Sequence, residues 1–248
     1  MDLIQKLNIP KECLVNNVIP KKDFFEQNMK TTERNLFTNN VKQIKWLYSL
    51  KEENINIKKY IDEEKEYLEI EIIQLTLKKE QKQEKITEII QKFIPYPILL
   101  IIRYKNRYKL SLAHKRNNKN DTEQIIITET INTNNWIKEN FTKKQDEKLI
   151  QTLNIKNLNT NNFYEMYEDM INTIIRYNAT NEIKKEINKP IKEIKEITNQ
   201  ITQLDKKINE LKKEQKKETQ FNKKVEQNIE IQKLKDKKEK LEKELKGE

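Results

Sequence analysis

The chain has 248 residues, a net charge of +10, 36% charged against 35% hydrophobic residues, and a single glycine, Gly247. Loops that cradle phosphate need several glycines for positive φ and close backbone approach, so a P-loop NTPase, a dinucleotide-binding Rossmann enzyme and a GxSxG hydrolase are all disfavoured. One cysteine, Cys13, and one histidine, His114, can form neither a disulfide nor a four-ligand zinc site. Lysine (45), isoleucine (36) and asparagine (30) crowd out alanine (2) and arginine (5), a bias toward residues with A/T-rich codons. No signal peptide is visible at the start, and the longest apolar run, Pro97 to Ile102, falls far below the roughly 18–20 residues of a membrane helix. The expectation is a soluble, cytoplasmic protein that needs no cofactor.

In chain order, Pro10 and Pro20 break residues 1–30 into a short helix and extended pieces. Thr31 or Thr32 can cap a helix running to about Leu50, with Phe37, Val41, Ile44 and Tyr48 as its buried stripe. Tyr67–Leu77 alternates Leu68, Ile70 and Ile72 with Glu69 and Glu71 and reads as a strand. Ile86, Ile89, Ile90 and Phe93 have helical spacing, ended by Pro95 and Pro97. Pro97–Tyr104 and Tyr108–Lys115 read as a hairpin, and Gln124–Thr130 as a fourth strand.

After Ile131 the pattern is helical, with Leu149 and Leu153 on one face and Phe163, Tyr167, Met170 and Ile174 on another. Ile194, Ile197, Ile201, Leu204, Ile208 and Leu211 then recur by threes and fours, the seam of a coiled coil. The seam breaks over Gln215–Asn222 and resumes at Ile231, Leu234, Leu241 and Leu245. That is either one long helix with a polar interruption or, preferred here, a helical hairpin. The expected class is α+β: an N-terminal, mostly antiparallel sheet with helices over residues 1–135, a helical connector over 136–180, and a coiled-coil segment over 181–248.

The sharpest electrostatic feature is the stretch Ile89–Asn120. It has no acid, but it holds Lys92, Arg103, Lys105, Arg107, Lys109, Lys115, Arg116 and Lys119, including three of the five arginines. A three-residue loop, Lys105–Arg107, would set Arg103 opposite Lys109. Like charges facing across strands repel, so an anion bound there would relieve them, and a phosphate backbone is the natural candidate. The alternative is a lysine-rich solvated edge that deters strand pairing. In the C-terminal segment, Phe221, Asn222 and Val225 form a candidate docking patch beside the seam residues Ile194, Ile201 and Ile208.

A metal-dependent nuclease would need converging acids. Glu69 and Glu71, with Asp121 or Glu129, are the only set on offer, and the Glu-x-Glu pair reads more simply as a solvent-facing strand edge. His114, at the end of a strand, reads as structural or phosphate-adjacent, and Cys13 as a small buried filler.

The chain resembles the bacterial family known as domain of unknown function 4391. The resemblance is carried by Ile19-Pro20-Lys21-Lys22 with Phe24 or Phe25 and Asn28, and by Phe37 and Val41 leading to Ile44-Lys45-Trp46-Leu47-Tyr48-Ser49-Leu50. Asn54-Ile55-Asn56-Ile57, Ile94-Pro95-Tyr96-Pro97-Ile98 and Glu218-Thr219-Gln220-Phe221-Asn222-Lys223-Lys224-Val225-Glu226 are also similar. The resemblance supplies no catalytic residues. It implies a setting beside helicases and DNA methyltransferases of restriction-modification-like phage defence. The expected function is therefore a non-enzymatic accessory subunit of such an assembly. Its expected partners are helicase or methyltransferase subunits, DNA, and a second copy through the coiled coil. A structural interaction protein without a nucleic-acid role and a divergent nuclease stand as the alternatives.

Overall fold

A computed structural model describes residues 3–22, 29–118 and 121–248. The chain falls into two units, Met1–Ile174 and Ile175–Glu248. The first unit opens with a one-turn helix α1 (Leu3–Lys6), strand β1 (Leu14–Ile19), helix α2 (Thr31–Asn40) and strand β2 (Val41–Lys51). A short helix α3 (Glu52–Ile55) and two-residue strands β3 (Tyr60–Ile61) and β4 (Glu66–Tyr67) lead into strand β5 (Glu69–Leu77). Helix α4 (Gln83–Phe93), strands β6 (Ile98–Tyr104), β7 (Arg107–Asn118), β8 (Asp121–Asn132) and β9 (Ile137–Lys138), helix α5 (Lys144–Thr152) and helix α6 (Phe163–Ile183) follow, the unit boundary falling within α6. The main sheet runs β1-β2-β5-β6-β7-β8, with β9 also on β7. Its pairs are antiparallel except β5–β6, which is parallel and joined across α4.

The helix expected to reach Leu50 ends at Asn40, and a strand takes its place. Two β-bulges explain why the strand imitates a helix. Each inserts one residue, between Val41 and Gln43 and between Trp46 and Tyr48. Val41 with Ile44, and Trp46 with Ser49, thereby keep to one face at a spacing of three rather than two. Upstream, Lys30 caps α2 and its N–H donates to the Glu33 carboxylate at 3.1 Å.

Ile98–Ile102 is buried at every position, the pattern of a strand covered on both faces. One face carries Phe37 of α2 and Ile86, Ile89 and Ile90 of α4 against Ile73, Leu75, Leu100 and Ile102. The other meets α6, whose Phe163, Met166 and Tyr167 are fully buried. The Tyr167 hydroxyl accepts from the Ala113 N–H at 2.9 Å and donates to the Ile98 carbonyl at 2.8 Å. It bridges β6 and β7 just past their last mutual pair, Leu100 with Ser111.

The β6–β7 connection has two residues, Lys105 and Asn106, not three. The register moves by one: Tyr104 faces Arg107, Arg103 faces Tyr108 and Ile102 faces Lys109. Two-residue connections match the twist of the strands they join, and Lys105 takes the left-handed φ of 55° that such a turn needs. Asn8, Asn16, Asn56, Lys82, Phe141 and Lys184 also have positive φ. The region after Ile131 is not helical throughout, because β9 adds one more rung to the sheet.

In the second unit, helices α7 (Ile191–Lys217) and α8 (Phe221–Lys246) form an antiparallel hairpin rather than one long helix. Ile194, Ile197, Ile201, Leu204 and Ile208 of α7, and Ile231 and Leu245 of α8, are buried. Rungs between the helices are Gln215 to Asn228 (2.7 Å), Lys207 to Glu230 (3.7 Å) and Asp205 to Lys238 (2.6 Å). The corner needs no glycine, because the Glu218 carboxylate accepts the Thr219 and Gln220 N–H groups at 2.8 and 2.9 Å.

Candidate functional site

The tip of the β6–β7 hairpin gathers four of the expected cations around aromatic rings. On one face, Tyr104 and Trp136 lie 6.2 Å apart, half-buried against the core below. The Arg107 guanidinium sits 5.5 Å from the Tyr104 ring centre and 5.1 Å from that of Trp136. The Lys109 ammonium lies 5.7 Å over Trp136, and that of Lys105 lies 5.3 Å over Tyr104. On the other face, Arg103 lies 5.6 Å over Tyr108. Cations over ring faces are held electrostatically while their polar ends stay accessible. Strand β9, which begins directly after Trp136, holds it beside the tip by pairing Ile137 with Tyr108 and Lys138 with Arg107.

Two carboxylates temper the charge. Glu80 lies 2.9 Å from Arg107, and Glu139 lies 3.4 Å from Arg103 while also accepting the Tyr108 hydroxyl at 3.0 Å. The like-charge pair that motivated an anion is absent, because Arg103 faces Tyr108 and Lys109 faces Ile102. Trp136, Glu80 and Glu139 escaped the sequence reading. Of the three, only Trp136, an isolated indole following asparagines downstream of the basic stretch, carried a signal that could have been noticed.

Two more of the expected phosphate ligands, Lys115 and Arg116, do not join this cluster. Lys115 is buried, and its ammonium donates to the Ile94 and Tyr96 carbonyls, both at 2.6 Å. Burial holds its pKa well below the usual lysine range. Both acceptors precede prolines, Pro95 and Pro97, and Lys115 shares its strand face with Ser111 and Ala113, a small-residue stripe that could have marked the position as inward. Arg116 is half-buried opposite Ile126. It stands nine positions along β7 from Arg107, about 30 Å at strand spacing. Lys119 lies outside the described residues.

Glu71 is buried, not solvent-facing. Its carboxylate accepts from Trp46 Nε1 and, at 2.9 Å, from Ser49 Oγ. Burial pushes its pKa up to about 7, helped by the Glu69 charge, against the pull of those two donors. Glu69 pairs instead with Lys51 at 3.1 Å. Glu129 sits opposite His114 on β8, three strands away from β5, so it does not meet these two acids. The Asp121 side chain lies outside what is described. Among the described residues, no group of three or more His, Cys, Asp or Glu could hold a metal ion.

His114 is held between Tyr67, whose hydroxyl lies 2.7 Å from Nδ1, and Glu168, whose Oε1 lies 2.7 Å from Nε2. Cys13 is buried 3.4 Å from Asn54 Oδ1, and burial raises its thiol to about 11. In the second unit, Ile194, Ile201 and Ile208 are buried, whereas Phe221 (77% exposed) and Val225 (40%) face outward with Ile229 (52%). Asn222 is exposed beside them. Among the described residues, no helix is long and apolar enough to cross a membrane.

No curated protein matches the chain, and no solved structure does. A family model for a domain of unknown function, DUF4391, spans residues 7–237, most of the chain, and the protein belongs to that family.

Proposed function

We propose that the protein is a non-enzymatic accessory subunit of a bacterial DNA-targeting defence assembly, and that the β6–β7 tip contacts a nucleic-acid backbone. The convergence of Lys105, Arg107 and Lys109 on Tyr104 and Trp136 carries this reading. Lysine and arginine neutralise phosphates and release counterions, which gives affinity without reading sequence. In this reading the α7–α8 hairpin, with coiled-coil packing, docks to a helicase or DNA methyltransferase subunit in the cytoplasm.

The test is fluorescence anisotropy with a labelled duplex across a salt series. Changing Arg103, Arg107 and Lys109 to Ala should weaken binding at least about tenfold at low salt and flatten the dependence of log K on log salt. Unchanged low-salt affinity sinks the nucleic-acid role. A second reading, self-association without nucleic acid, is favoured by the exposed Phe221, Val225 and Ile229, which recur every fourth residue along α8. Light scattering decides it: a dimer that Phe221→Ser converts to a monomer supports this reading, and a monomer at every concentration removes it.

A further inference from the structure

The two arginines at the hairpin tip are already engaged. Arg107 lies on the Tyr104 and Trp136 face with Glu80 at 2.9 Å, and Arg103 lies on the Tyr108 face with Glu139 at 3.4 Å. Each guanidinium therefore brings its own counter-charge, from segments on either side of the hairpin in sequence. All four side chains stay one-third or more exposed, 33% and 43% for Arg107 and Glu80, 35% and 36% for Arg103 and Glu139. Exposed pairs of this kind hold weakly, and phosphate oxygens make charge-assisted bonds of the same type with guanidinium. A single phosphate must compete with a carboxylate already in place. A polyanion can reach Lys105 and Lys109, which form no ion pair with a carboxylate among the described residues, and then meet the arginines at high effective concentration.

We propose that Glu80 and Glu139 are internal competitors: they occupy Arg107 and Arg103 in the free protein, yield to a phosphodiester polyanion, and so exclude isolated phosphate. This rests on the nucleic-acid reading above and adds to it two residues that set selectivity.

The experiment titrates the full chain and the Glu80→Gln/Glu139→Gln variant with a labelled duplex and, separately, with inorganic phosphate. The variant should bind the duplex about three- to tenfold tighter at low salt, the gain expected from releasing two exposed pairs. High salt should erase that gain by screening. The variant should also gain measurable phosphate binding over the wild type. Equal or weaker duplex binding by a variant with wild-type circular dichroism overturns the competition while leaving the nucleic-acid reading intact. Failure of both proteins to bind duplex overturns both.

A measurement on the wild type covers the case of a variant that does not fold. Side-chain NMR should show the Arg103 and Arg107 Nε–H signals and the Glu80 and Glu139 carboxyl carbons shifting together as duplex is added. Carboxyl carbons that stay still in a duplex-bound sample refute the exchange.

Discussion

Replacing Tyr167 by Phe removes one oxygen from the point where β6 and β7 stop pairing. The hydroxyl is fully buried and serves two backbone groups at once, the Ala113 N–H at 2.9 Å and the Ile98 carbonyl at 2.8 Å. Burial raises its pKa, so it remains a neutral donor and acceptor at any ordinary pH. A buried backbone group stripped of its partner costs about 1–3 kcal/mol, and two are exposed to that cost here. Phe fills the same volume, so no cavity adds to the sum. The expected destabilisation is about 3 kcal/mol, or roughly 6–12 °C in melting temperature for a chain of this size. Calorimetry gives the total, and amide hydrogen exchange at Ala113 localises it. Ala113 should lose protection before the rest of β7. A loss below about 1 kcal/mol, with Ala113 as protected as in the wild type, would mean that the strands close without the tyrosine and would refute the bridging argument.

Two further outcomes follow from the buried charges. Glu71 keeps its proton to about pH 7 in the fold, against an ordinary value of 4.5, so between those limits the native state binds more protons than the unfolded chain. Stability should therefore fall as pH rises through that window, by about 3 kcal/mol in total, and Glu71→Gln should flatten the profile. Urea unfolding at pH 5 and pH 8 measures it, and equal slopes for wild type and variant would rule it out. Lys115→Met should leave duplex affinity within about twofold, because the ammonium points at the Ile94 and Tyr96 carbonyls rather than at solvent. A loss comparable to that expected for the tip cations would return Lys115 to the phosphate surface.

Where apolar periodicity alone decides an element, the residues announced it. Ile86, Ile89 and Ile90 mark α4, and Ile194 through Ile208 mark the inner face of α7, because a single buried stripe imposes the period. The α+β class followed from the same patterns, as did the antiparallel character of most of the sheet. Bulges defeated this logic in β2, since an inserted residue changes the period from two to three and a strand then spells a helix. The hairpin register turned on a single residue of loop length, which depended on a lysine accepting positive φ. Charge proved less readable than shape. Whether Lys115 or Glu71 lies inside depends on partners far along the chain, the carbonyls before Pro95 and Pro97 for one and the indole and hydroxyl of β2 for the other. The tip cluster needed both Trp136 and β9, which no local pattern ties to Arg107.

The left-handed turns have a consequence for how this protein could be improved. Among the described residues, Lys82, Lys105, Phe141 and Lys184 hold positive φ with a Cβ in place, while Asn occupies the other three non-glycine positions of this kind. Asn tolerates that conformation through local hydrogen bonding, whereas lysine and phenylalanine gain no such relief and store about 1 kcal/mol each. Glycine, elsewhere the residue that weakens a fold by loosening it, would here release tension at the corners. A reserve of untapped stability thus lies in the bends between elements.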